Sequence, residues 1–98
     1  MAFQASAASS GIRTPRLENA RFLLPYRRQS VSLGRCHRLL ERLATVDAIS
    51  IGDLLRAAFI TIADQQTGLP CLWHLVATGR IAADLDRPLT MTSLLRAA

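Results

Sequence analysis

The sequence predicts a small, mainly α-helical domain of three helices, closed by a C-terminal β-hairpin and preceded by a basic, partly disordered arm. Three observations carry this. Apolar residues recur at helical spacing through the middle of the chain, the period switches to two after Gly79, and the first thirteen residues are small and polar. The chain has 98 residues, half of them apolar and only five aromatic. That length suits one small domain with a core of Leu, Ile, Val and Ala, and excludes a multidomain enzyme. No apolar run approaches the ~18 residues that span a bilayer, and the first residues lack the apolar stretch of a signal peptide. The cytoplasm is the default expectation, and two cysteines are too few for a disulfide scaffold.

The elements follow in order. Residues 1–31 read as a flexible basic arm that admits one short helix. Thr14 caps that helix, Pro15 takes its first position, and Pro25 ends it. Residues 32–98 read as the folded domain. From Ser32, Leu33, Cys36, Leu40 and Leu43 form one apolar face, while Arg35, Arg38 and Arg42 form a second stripe with the same helical spacing. This helix is expected to end near residues 44–47. Ser50 opens the next helix with capping-box spacing to Asp53, and Leu54, Leu55 and Ala58 supply its core side, with Ile51 and Phe59 flanking them. Phe59–Ile62 fits a frayed helix end or a short strand, and Asp64–Gly68 reads as a turn by composition. A third helix is expected from Leu69–Pro70, with Leu72, Leu75 and Val76 buried and Gly79 as its C-terminal cap. Ile81, Ala83 and Leu85 then alternate as a strand. Asp86–Pro88 turns the chain, and Leu89–Leu95 supplies a returning strand or a closing helix. With a mini-strand at Ala48–Ser50, this order describes a winged helix-turn-helix. Such a core lies near the lower size limit for independent stability, which leaves room for a partner protein or a homodimer.

Charge is distributed unevenly. The net charge of +5 comes from twelve arginines and no lysine. Residues 1–42 hold eight arginines against two glutamates, and residues 43–98 hold four against five aspartates. A localised arginine excess suits an anionic partner such as DNA, because guanidinium forks match phosphate oxygens and displace counterions. The candidate DNA-binding residues are Arg27, Arg28, Arg35, Arg38, Arg42 and Arg80. Three phosphate contacts from the helical stripe alone would give a log–log salt slope of roughly −2.7 on duplex DNA. The plain alternative is a solvated helix face partly paired with Glu41.

The third helix offers Trp73 and His74 but no Arg or Lys, so it is poorly equipped to read base edges. Trp73 and His74 are better placed to pack against neighbours or a protein partner. Cys36, His37, Cys71 and His74 are zinc-type donors, but adjacent helical side chains diverge by about 100° and do not converge on one ion. No metal or other cofactor is expected. No Ser, Cys or His has an evident base and orienting group, so no catalytic residue is assigned.

Residues 69–95, LPCLWHLVATGRIAADLDRPLTMTSLL, resemble the C-terminal part of TnsA-type endonuclease subunits of heteromeric transposases. The resemblance rests on Leu72, Leu75, Val76, Gly79, Ile81, Asp84-Leu85, Pro88-Leu89 and Thr92. Upstream, Asn19-Ala20-Arg21, Leu24, Tyr26-Arg27 and Ile51-Gly52-Asp53-Leu54-Leu55 also fit, so that it covers roughly residues 16–95. In that family the nuclease occupies a preceding N-terminal domain, for which residues 1–31 are too few. The resemblance therefore implies a non-catalytic winged-helix region in contact with DNA and other transposition proteins. Two roles follow as expectations. One is a module binding DNA mainly through phosphates, linked to a transposon or other mobile element. The other is an interaction module docking a transposase, an ATPase or a regulatory partner.

Overall fold

A computed structural model describes residues 14–98 as four helices and three short strands. The leader expected over residues 1–13 lies outside the described residues. Helix α1 spans Pro15–Arg27, so the segment expected within a flexible arm is largely a packed helix. The Thr14 hydroxyl accepts from the Leu17 N–H at 3.2 Å and caps it. Pro25 lies inside α1 rather than ending it. A proline so close to the C-terminus withholds one N–H from the last turn, and packing compensates. Leu23 is buried, and the Tyr26 carbonyl takes a hydrogen bond from His74 Nδ1 at 2.7 Å.

Helix α2 (Leu33–Leu43) starts at Ser32, whose hydroxyl accepts from the Arg35 N–H. Its core face is Cys36, Leu39 and Leu43. The expected face is rotated: Leu39 is fully buried, Leu40 is half-buried, and Leu33 is 82% exposed. Both registers have helical spacing, and only the position of the other helices selects between them. Strand β1 (Ile49–Ser50) leads directly into α3 (Ile51–Ala58), capped by the Ser50 hydroxyl on the Asp53 N–H at 3.2 Å.

A link of three residues then leads into α4 (Ile62–Ala77). The turn expected over Asp64–Gly68 and the start expected at Leu69–Pro70 are therefore corrected: both stretches belong to α4. Thr61 caps the helix by accepting from the Asp64 N–H at 3.1 Å. The Gln65 side chain donates to the Phe59 carbonyl at 3.2 Å, which fixes the entry of the chain. Gly68 and Pro70 are weak helix formers, but Cys71, Leu72, Trp73, Leu75 and Val76 are all buried behind them, so tertiary packing overrides local preference. Gly68 is also where the buried Phe59 ring rests on the helix, with no room for a Cβ. Gly79 ends α4 at φ +80°. Its N–H donates to the Val76 carbonyl and that of Arg80 to the Leu75 carbonyl, the paired bonds of a Schellman cap.

Strands β2 (Ile81–Ala83) and β3 (Leu94–Ala97) pair antiparallel, with Ile81 opposite Ala97 and Ala83 opposite Leu95. Strand β1 pairs on the other side of β3, with Ile49 opposite Leu95, so the sheet order is β1-β3-β2. Ile81 and Leu95 project into the core, where they join Leu39, Leu43, Ile51, Leu54, Leu72 and Leu75. No helix among the described residues is long and apolar enough to cross a membrane.

The Phe59–Gly68 contact gives a test with a decided sign. Helix propensity alone would make Gly68→Ala stabilising by about 1 kcal/mol. Overpacking against a buried ring should instead destabilise the protein by about 1–3 kcal/mol, read as a lower urea midpoint. An unchanged or raised midpoint would mean that the ring yields.

Candidate functional site

The arginine stripe of α2 is formed as its spacing requires, but its members differ. Arg35 Nη2 lies 3.9 Å from Asp64 Oδ1 in the first turn of α4. Arg38 reaches the Ala58 carbonyl at 3.5 Å, and its guanidinium carbon lies 5.9 Å from the Phe59 ring centroid. With Ser32 and Gly34 these residues line a groove at the α3–α4 corner. A guanidinium has five N–H donors, so each of these arginines keeps donors for a further ligand. Arg42 is exposed and has no carboxylate partner among the described residues. Glu41, expected beside the stripe, lies 3.4 Å from His37 instead.

The remaining predicted arginines sit on other elements. Arg27 closes the last turn of α1, Arg28 is its C-terminal cap, and Arg80 follows Gly79 beyond α4. All three are exposed and have no carboxylate partner among the described residues. Sequence reasoning omitted Arg87 and Arg96 of the hairpin, which line a cleft on it. The alternation of exposed Leu94 and Arg96 about buried Leu95 is a strand signal that points to Arg96.

Trp73 and His74, expected to meet a partner, face this chain's own first helix. Trp73 is 7% exposed and meets the Phe22 ring edge-on at 5.1 Å between centroids. His74 Nδ1 lies against a carbonyl, which can only accept, so that nitrogen carries the proton. Of the zinc-type donors, Cys36 and Cys71 are neighbours. Cys36 and Cys71 are buried thiols, whereas His37 is exposed beside Glu41. Burial, and next the neighbouring Cys71, push the Cys36 thiol above its ordinary pKa. Among the described residues no three His, Cys, Asp or Glu side chains gather as metal ligands.

Helix α1 also positions the loop between β2 and β3. Asn19 is buried, and its side-chain amide donates to the Leu85 carbonyl at 2.9 Å and to the Arg87 carbonyl at 2.7 Å. Between those carbonyls, Asp86 receives Arg16 through two oxygens, with Nε at 2.7 Å and Nη2 at 3.3 Å. The Arg16 hydrogen bond, and then its charge, hold the Asp86 carboxyl below the usual aspartate range.

These features define a class: a small helical domain with a three-stranded sheet, buttressed by its first helix and carrying exposed arginines on several elements. Within that class the chain belongs to the family described as TnsA endonuclease C terminal, whose model matches residues 11–85. The matched residues include the whole of α1. No curated protein and no solved structure matches the chain.

The Arg16–Asp86 pair predicts a pH dependence. A folded-state pKa below the unfolded one adds stability that is fully present above the ordinary aspartate value of about 3.9 and is lost as the pH falls through the depressed value. Asp86→Asn should lower the urea midpoint at pH 7, and the gap from the parent should close below about pH 4. A gap that persists unchanged in acid would contradict this role for the carboxylate.

Proposed function

We propose that this chain is a non-catalytic winged-helix module that holds DNA mainly by its backbone phosphates, within a transposition system. Family membership supports the transposition setting. The order α2-β1-α3-α4-β2-β3, with sheet order β1-β3-β2, supports a winged helix-turn-helix in which α4 occupies the recognition position. The observation that carries the phosphate reading is the contrast between the first half of α4 and the other elements of the domain. The exposed first half of α4 offers Ile62, Ala63, Asp64, Gln66 and Thr67, with no Arg or Lys. The Thr67 hydroxyl is already engaged with the Ala63 and Asp64 carbonyls. Base edges are read mainly by Arg, Lys, Asn and Gln, and of these the exposed surface offers Gln66 alone, so it discriminates poorly between sequences. Arg27, Arg28, Arg42 and Arg80 lie on or beside other parts of the domain, exposed and without carboxylate partners among the described residues. Arg35 and Arg38 add donors from the groove at the α3–α4 corner.

One observation favours a second reading, a docking module for a transposase or ATPase partner. Ile60 is 95% exposed and Ile62 73% exposed, on either side of the Thr61 cap. Two apolar side chains so open on one corner suit a protein surface better than a phosphate backbone.

Salt titration separates the readings. Replacing Arg27, Arg28, Arg42 and Arg80 by Gln should make the log–log salt slope of duplex binding shallower by roughly 3.6. Ile60→Ser with Ile62→Ser should leave that slope unchanged. A slope insensitive to the four arginines would overturn the phosphate reading, and loss of a transposition partner with the isoleucine pair would favour docking.

A further inference from the structure

We infer that the β2–β3 hairpin carries a separate phosphodiester-binding cleft, gripped by Arg87 and Arg96 and held in shape by α1. This deepens the DNA reading above and rests on it. The cleft is an open one of about 830 Å³ on the face of the hairpin turned away from the core. Its floor follows from strand alternation. Leu95 is fully buried, so its neighbour Arg96 projects outward, and the residue opposite Arg96 on β2 is the small, exposed Ala82. A methyl group at that position leaves space beside the guanidinium. Arg96 has no carboxylate partner among the described residues, so its donors face solvent.

The wall is the loop after β2. Arg87 Nε lies 3.5 Å from Asp84 Oδ2, which orients the side chain and leaves its two Nη groups available. The Thr90 and Thr92 hydroxyls lie 2.9 Å apart, and the Thr92 N–H donates to Thr90 Oγ1. Two hydroxyls carry two hydrogens and one is used between them, so one donor remains for a ligand oxygen. The cleft thus gathers two guanidinium groups and a hydroxyl donor against one carboxylate.

The second acid of this loop, Asp86, is outside the cleft lining and is paired with Arg16. Asn19 fixes the backbone on both sides of it, at the Leu85 and Arg87 carbonyls. The contacts that neutralise Asp86 therefore also set the position from which Arg87 projects. Two planar forks with an added hydroxyl suit the non-bridging oxygens of a phosphodiester. The open cleft exceeds one phosphate and accommodates a sugar-phosphate segment passing through it. This gives Arg87 and Arg96 a role that the helix-borne arginines do not duplicate.

The test uses the full chain and a fluorescently labelled duplex. Arg87→Gln with Arg96→Gln should weaken binding by about tenfold at 0.1 M salt and make the log–log slope shallower by about 1.8. Both side chains are exposed and neither contributes to the core, so the thermal midpoint should stay near the parent's. In the parent, adding duplex should shift the backbone amide resonances of Thr90, Thr92 and Arg96. If the parent binds duplex while the double variant keeps its affinity and slope, the cleft assignment fails and the DNA reading survives. If the parent does not bind duplex at all, both fail. If polyglutamate moves the Thr90 and Thr92 amides and duplex does not, the cleft takes an acidic protein segment and the phosphodiester assignment is overturned.

Discussion

A single buried amide ties the beginning of the fold to its end. Asn19 is 6% exposed and its two N–H donors meet the Leu85 and Arg87 carbonyls. A typical buried hydrogen bond contributes about 1 kcal/mol net, but removing one partner leaves the others desolvated at about 1–3 kcal/mol. The amide therefore specifies where α1 lies more strongly than it stabilises the fold. Once α1 is placed, Leu23 enters the core, Phe22 covers Trp73, and His74 satisfies a carbonyl in the last turn of α1. The hairpin loop is held by the same helix. In a domain this small, with few apolar layers to share, such a strut is a large part of what keeps the hairpin in one place.

Electrostatics in this molecule divides between pairs that shape the fold and charges that face outward. Arg16 with Asp86, Arg56 with Asp53 and Arg87 with Asp84 are exposed pairs that orient local segments. Exposed pairs of this kind contribute little to stability, about 0–1 kcal/mol each. A guanidinium facing a nucleic-acid phosphate acts differently, because each contact releases condensed counterions and adds to a salt-dependent affinity. The outward arginines are spread over the end of α1, the flank of α2, the exit from α4 and the hairpin. Under the proposed phosphate reading, such a spread would let the domain follow a backbone without depending on the arginine-free, partly apolar face of α4.

Much of this was legible in the sequence where the signal is local. Thr14 and Ser50 are caps by residue type and spacing, Gly79 is a terminator, and the alternation at Ile81–Ala83 is a strand. The mini-strand before α3 and the arginine spacing on α2 were legible too. What was not legible depends on residues distant in sequence. Gly68 and Pro70 mimic a turn unless the Phe59 ring and the buried side of α4 are known. Leu39 and Leu40 are equally eligible for the core until α3 and α4 are placed. Asn19 contacts carbonyls 66 and 68 positions away and has no local signature, so α1 reads as an arm rather than a strut. Trp73 is similarly ambiguous, because an aromatic near the end of a helix serves a partner or an intramolecular seam equally well. On the site, sequence located arginines but not their engagement. That Arg38 turns to Phe59 and Arg35 to Asp64 follows only from where the α3–α4 corner lies.

The central claim is that affinity comes from phosphates rather than from bases, and competition between duplexes of unrelated sequence measures that directly. If the claim holds, the chain ranks such duplexes within about tenfold of one another at low salt, and all of them weaken together along a common slope as salt rises. A duplex preferred by a thousandfold or more, with the preference surviving high salt, would show base readout and contradict the account.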